Sequence, residues 1–208
     1  MTVKQRAVRA VVTQFHRPHG MGGRAAAWVM AHRSSNRERN LWAVGLLDVQ
    51  PGERVLELGF GPGIAIGELA RRATGGLVAG VDHSELMVRQ ASRRNAAALR
   101  AGQIDLRLGS IDQLPEFGTA FDALLAVNAL HFSDDPVAVL RELRRVLRRG
   151  GRIAIASQPR CPGATAETSA ESGRQIAAHL ESAGFSGIRV ETLPLDPPVV
   201  CALGVSMG

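Results

Sequence analysis

Arg54-Val55-Leu56-Glu57-Leu58-Gly59-Phe60-Gly61-Pro62-Gly63 is the stretch whose reading decides the fold. Val55, Leu56 and Leu58 form a short apolar run around one carboxylate, Glu57, with Pro51-Gly52 before it and three spaced glycines after it. A run bounded by turn formers in this way predicts a buried strand entering a tight turn. From Ile64 to Arg72 the pattern becomes helical, with Ile66, Leu69 and Ala70 on one side. Strand, glycine turn and helix together form the first half of a nucleotide-binding βαβ unit.

The spacing of the glycines says which nucleotide. A dinucleotide fingerprint runs G-x-G-x-x-G, so that a helix N-terminus can hold a diphosphate. Here the third glycine comes one residue early, at Gly63, and Ile64 stands in its place. Pro62 removes a backbone N–H that a diphosphate would use. Glu57 would repel a diphosphate, whereas it would attract a ligand carrying an ammonium and a sulfonium. A cationic nucleoside is favoured over a pyrophosphate.

Glu57-x-Gly59-x-Gly61-x-Gly63 resembles the first motif of the class I S-adenosylmethionine-dependent methyltransferases. Downstream, Leu77 to Asp82 predicts a second strand ending in a carboxylate, about where such folds place the acid that accepts ribose hydroxyls. Ser84 can cap the helix predicted over Glu85 to Leu99, which leaves Asp82 for ligand. The pattern Asp82-x-Ser84-x-x-Met87 is again similar to the family. After a third strand over Ile104 to Leu108, Ser110 and Ile111 occupy the family's adenine-holding positions, with Asp112 as an alternative partner for the adenine amino group.

Phe121 to Val127 predicts a fourth strand, leading into Asn128-Ala129-Leu130-His131-Phe132. Asp135-Pro136 then starts a helix, with proline at its favoured first position and Leu140, Leu143, Val146 and Leu147 as its buried face. Arg141, Arg144, Arg145, Arg148 and Arg149 read as a solvated face near the negative helix C-terminus. Gly150-Gly151 should end this helix before a fifth strand, Arg152 to Ser157. Arg145-Val146-Leu147-x-x-Gly150-Gly151 also resembles the family, with Arg149 where a proline is usual. Gln158 to Ala170 reads as a loop, Ser172 to Ala183 as a helix, and Ile188 to Thr192 and Val199 to Leu203 as closing strands.

The resemblance covers residues 50–208. It implies an α/β, Rossmann-like, doubly wound seven-stranded sheet, mostly parallel with an antiparallel edge hairpin, preceded by N-terminal helices. The cofactor it implies is S-adenosylmethionine, held by Glu57, Gly59, Gly61, Gly63, Asp82, His83, Ser110, Ile111 and Asn128. His131 is the candidate base for an acceptor that must lose a proton, with His16 and His19 as alternatives. No Asn-Pro-Pro-aromatic sequence and no Pro-Cys follows the fourth strand, which favours a small-molecule acceptor over adenine, amide or cytosine.

The 208 residues suit a single domain: an N-terminal helical lid over residues 1–50 and a catalytic core from residue 51. Residues 1–40 hold eight cations against Glu38 alone, a net of +7, so the rest of the chain carries −1 of the total +6. Val8, Val11, Val12 and Phe15 form a helical stripe, a second helix spans about 24–32, and Ser35-Asn36-Arg37-Glu38 has the capping-box form that opens a third. The basic segment leaves an RNA or DNA methyltransferase as the competing reading. The absence of tyrosine, with Phe15, Trp28 and Trp42 mostly on helix faces and not free for stacking, argues against nucleic acid. An Arg-rich start also suits a transit peptide or a membrane-surface helix, although serine is scarce there. No apolar run approaches the ~20 residues of a membrane span. Cys161 and Cys201 form no metal or disulfide pattern, and no metal is implied. A cytoplasmic location is expected, and a homodimer is compatible with the sequence.

Overall fold

The structure, a computed structural model, describes residues 34–130 and 133–208. In chain order its elements are α1 (Ser34–Leu47), β1 (Arg54–Leu58), α2 (Ile64–Arg72), β2 (Leu77–Asp82), α3 (Glu85–Arg94), α4 (Ala96–Arg100), β3 (Ile104–Leu108), β4 (Phe121–Val127), α5 (Pro136–Val146), β5 (Leu147–Ser157), α6 (Ala166–Ser182), β6 (Phe185–Leu193) and β7 (Val199–Ser206). The helices expected before residue 33 lie outside the described residues.

One seven-stranded sheet has the order β3-β2-β1-β4-β5-β7-β6. From β3 to β5 every pairing is parallel, while β7 runs antiparallel to both β5 and β6. The expected hairpin is therefore present, with β7 tucked inside and β6 at the edge. Strand order reverses between β1 and β4, and open α/β sheets bind ligands at such a switch point, outside the carboxyl ends of the strands.

Alternation along the strands feeds two apolar layers. Val55, Val78, Ala123, Leu125 and Ala154 face α1, α2 and α3, whose Ala43, Val44, Leu47, Ile66, Leu69 and Met87 cover them. Leu56, Leu58, Leu124 and Ile155 face α5 and α6, against Leu140, Leu143, Ile176 and Leu180. Each fully buried leucine or isoleucine contributes about 1.5–3 kcal/mol. By the same alternation Glu57 shares the Val55 face, and Asp82 the Val78 face.

Several boundaries differ from expectation, each for a local reason. The helix predicted over Glu85 to Leu99 breaks at Asn95, whose amide donates to Gly63 O and Ala91 O, both at 3.0 Å. The Arg141–Arg149 helix ends at Val146 and not at the glycines, because Leu147 pairs with Phe121 as a strand residue and Gly150, at φ 76°, turns within β5. Most of its arginines are exposed, as expected, with Arg144 half-buried. α6 starts at Ala166, not Ser172, since Thr165 and Thr168 cap each other reciprocally. β6 and β7 both run longer than predicted. α1 already includes Ser34, so Ser35 lies inside the helix and is not its cap.

Candidate active site

Glu57 is the fourth residue of β1 and only 1% exposed, with its Oε2 unpartnered. Burial first, then the neighbouring charge of Asp82, raises its carboxyl well above the ordinary carboxylate value. A buried acid without a donor is costly, and it is the place where a cation gains most.

The three glycines that follow have three separate reasons to be glycine. All have positive φ, at 62°, 52° and 75° for Gly59, Gly61 and Gly63. A Cβ on Gly59 would lie 2.6 Å from Ala129 Cβ, because the turns after β1 and β4 press together. One on Gly63 would strike Ala91 Cβ at 2.6 Å and its Cα at 2.9 Å, where α2 and α3 meet. A Cβ on Gly61 would meet no atom of the described residues within 4 Å. That position is open, and a ligand can approach the backbone there.

Asp82, at the end of β2, is 4% exposed. Its Oδ2 accepts the Gly61 N–H at 2.8 Å and its Oδ1 the Ser84 N–H at 2.9 Å. Burial pushes its pKa up, opposed by these two hydrogen bonds and by the charge of His83. Both oxygens keep a further lone pair for a ligand hydroxyl. The expected division of labour is corrected here: Ser84 occupies the N-cap of α3, but its side chain makes no capping bond, and Asp82 itself takes the Ser84 N–H. His83 is half-exposed beside it, its Nδ1 3.9 Å from Asp82 Oδ1.

The turn after β3 is tied to the turn after β4. Ser110 Oγ accepts the Asp112 N–H at 3.2 Å, and Asp112 Oδ1 accepts from Ser133 Oγ at 2.6 Å. Ile111 packs against the apolar layer beneath, leaving Ser110 exposed. Asn128, just past β4, has φ 53°, uncommon outside glycine but tolerated by asparagine. Its N–H donates to Ala156 O at 2.8 Å, and its Oδ1 accepts the Gln158 N–H at 2.7 Å. Local strain of this kind gathers at functional sites.

His131, His16 and His19 lie outside the described residues. Cys161 is exposed and Cys201 buried, its thiol pushed up to about 12 chiefly by burial. Among the described residues no group of three His, Cys, Asp or Glu side chains could hold a metal ion, and no helix is long and apolar enough to cross a membrane. Sequence reading missed Arg39 and Gln158, both buried, with the Arg39 guanidinium donating to Gln158 Oε1 at 2.6 Å. Arg39 was counted only as part of a basic, lid-like surface. Its place on the same helical stripe as Ala43 and Leu47 was the available signal.

S-adenosylmethionine fits what is present. An orphaned buried carboxylate oxygen suits its positive end, an open glycine suits close approach, and a pinned carboxylate with spare lone pairs suits vicinal hydroxyls. Comparisons with known proteins agree. The methyltransferase-domain family matches residues 56–155. The methyltransferase YdaC of Bacillus subtilis is 32% identical over 178 residues, 85% of this chain and 95% of its own length. The 27-O-demethylrifamycin SV methyltransferase of Amycolatopsis mediterranei is 30% identical over 155 residues, 68% of this chain and 57% of that protein. The magnesium protoporphyrin IX methyltransferase of Synechocystis, solved with bound S-adenosylhomocysteine, superposes with a TM-score of 0.64 at 21% identity, over 81% of this chain and 82% of its own. The chain belongs to the class I S-adenosylmethionine-dependent methyltransferases.

Proposed function

We propose that this methyltransferase acts on a small-molecule acceptor, with its cofactor across the C-terminal ends of β1, β2 and β4. The observation that carries the acceptor class is where the arginines of α5 and β5 sit and what holds them. Arg148 binds Asp122 at the start of β4, Arg152 binds Glu53 before β1, and Arg144 donates to the carbonyls of Gly184 and Gly208. These three arginines lie at the N-terminal edge of the strands, opposite the site, and each has a protein partner. A nucleic acid would need free cations beside the reaction end. The rifamycin-type relative points the same way.

S-adenosylmethionine, when bound, supplies a methyl group on a positively charged sulfur, open to in-line displacement. Glu57 faces the cationic end, Asp82 accepts the ribose hydroxyls with His83 beside it, and Gly59, Gly61 and Gly63 shape the turn that admits the ligand. Ser110 and Ile111 bound the adenine, and Asn128 borders the methionine portion. His131, three residues beyond Asn128, takes the acceptor's proton where the chemistry demands it. The lid over the acceptor pocket is assigned to the chain ahead of α1, since Ala43, Val44 and Leu47 of α1 belong to the core, and alignment supplies most of the acceleration.

Calorimetric titration with S-adenosylhomocysteine, followed by a labelled-methyl screen against metabolite extract and RNA, tests this. Label should enter small molecules. Label entering RNA, together with micromolar RNA affinity that falls steeply with salt and is lost on deleting residues 1–22, would replace this reading with the nucleic-acid one.

A further inference from the structure

The buried face of α1 runs Asn36, Arg39, Asn40, Ala43, Val44 and Leu47, recurring at helical spacing. Its second half is apolar core. Its first half is polar and nearly as buried. The helix runs against the direction of β5: Arg152, midway along that strand and paired with Ala123 near the start of β4, donates to Leu47 O at 3.1 Å, and Gln158, one residue past the end of β5, accepts from Arg39. The polar half therefore lies at the C-terminal edge of the sheet. Gln158 links it to the site, since its N–H is bound by Asn128 Oδ1 at 2.7 Å.

Arg39 is 3% exposed, and among the described residues no carboxylate is paired with it. Its guanidinium donates to Gln158 Oε1 and Asn36 Oδ1, both neutral amide oxygens. Its Nε makes no hydrogen bond. The charge acting on it is a like one, Arg160, so burial and then Arg160 pull its pKa down to about 9. A buried cation without a counter-ion is among the more costly arrangements a core can hold. Next to the reaction end, such a cation is stabilised by an anionic group of a ligand.

We infer that Arg39 is the receptor for a carboxylate carried by a ligand of the active site. Of its five N–H groups, Nε–H is left over in the described structure, and a guanidinium edge matches a carboxylate by paired hydrogen bonds. A lysine could not present that fork. Two ligands can bring the carboxylate: the cofactor, through its amino-acid tail, or the methyl acceptor. The inference rests on the cofactor site proposed above and adds a substrate-recognition element to it.

S-adenosylhomocysteine and 5′-methylthioadenosine separate the two sources, because only the first has the amino-acid tail. Calorimetry on the wild type and on Arg39→Met reads the ratio of their dissociation constants. If the cofactor supplies the carboxylate, the S-adenosylhomocysteine constant should rise about tenfold or more relative to that of methylthioadenosine in the variant, the scale of one charge-assisted hydrogen bond, with methylthioadenosine affinity unchanged. If the acceptor supplies it, the ratio should hold, while saturable binding of benzoate or acetate to the S-adenosylhomocysteine complex disappears in the variant. An unchanged ratio together with unchanged or absent carboxylate binding overturns the inference. Methylthioadenosine binding also reports whether the variant has folded. Should Arg39→Met not fold, Arg39→Lys, which keeps the charge and loses the fork, goes through the same two measurements, with a partial change in the ratio or in carboxylate binding expected and no change in either overturning the inference. A wild type that binds neither nucleoside would instead defeat the cofactor-site reading, and this inference with it.

Discussion

The two edges of the sheet carry the same kinds of charged residue and treat them in opposite ways. At the N-terminal edge, Asp122 accepts the Arg54 N–H at 2.7 Å and the Arg148 guanidinium, and Glu53 accepts Arg152 at 2.6 Å and the Gln50 N–H at 2.9 Å. Even Arg54, whose Nε has no acceptor, lies over the Phe121 ring at 5.7 Å. At the C-terminal edge, Glu57 Oε2 and Arg39 Nε are buried with nothing to meet them. Charges at the first edge close the fold. At the second they are left for ligands, and the protein bears their cost until one binds.

Substitution should therefore split by edge, stability failing at one and binding at the other. The comparison breaks first at Gly63, which lies on the ligand side but packs like a core residue. Gly63→Val combines a left-handed φ with overlap on Ala91, and should cost about 3–5 kcal/mol of stability by denaturant unfolding. Gly61→Ala, which meets open space, should cost only about 1–2 kcal/mol of stability and still weaken S-adenosylhomocysteine severely. Equal stability losses in the two variants would refute the separate roles assigned to these glycines.

Next in size is Asp82→Ala, expected to weaken S-adenosylhomocysteine by about 1.5–3 kcal/mol, the scale for losing a charged acceptor. Unchanged affinity by calorimetry would remove Asp82 from the site. Its counterpart at the opposite edge, Asp122→Asn, should cost about 1–2 kcal/mol of stability and leave the nucleoside dissociation constant where it was. Burial raises the Asp122 pKa, but the Arg54 N–H and Arg148 outweigh it and hold the carboxyl below its ordinary value. Its stabilisation is therefore present above the ordinary carboxylate range and fades as pH falls through the lowered value.

The smallest effect is the sharpest test of the contrast, because Glu57 has the opposite sign. Its raised pKa means that its contribution is complete below the ordinary carboxylate range and is lost as pH rises through the folded value, with a slope of at most about 1.4 kcal/mol per pH unit. Glu57→Gln should remove that slope from the ligand-free protein. Binding of S-adenosylhomocysteine to the wild type should release a proton, seen as a binding enthalpy that tracks buffer ionisation. A buffer-independent enthalpy would show that Glu57 does not face the ligand's cation.

Much of this was legible without coordinates. β1, β2, β3 and β4 fall where short apolar runs between glycine and proline turns place them, and α2 where the period changes. Asp135-Pro136 reads as a helix start, and the Asp135 side chain does accept the Ala138 N–H, at 2.9 Å. Misreadings came where composition and position disagreed. Residues 166–170 look like the tail of the Pro-, Gly-, Ser- and Thr-rich loop that starts at Gln158, yet the reciprocal Thr165–Thr168 bonds begin a helix there. Asn95 looks like any polar helix residue until its amide is seen bridging to Gly63 O.

From sequence alone came the cofactor class and the order of the elements, because both are written in local terms: periodicity, turn chemistry, and a carboxylate at a fixed distance from glycines. Only the tertiary structure decided which polar groups are left without partners. Glu57 and Glu53 are both acids beside one strand, and Arg39 and Arg152 both belong to an arginine-rich chain. Their difference lies in what packs over them from elements about 100 residues away, such as β5 and the turn beyond it. Burial and hydrogen-bond satisfaction are properties of that long-range packing, and no local pattern records them.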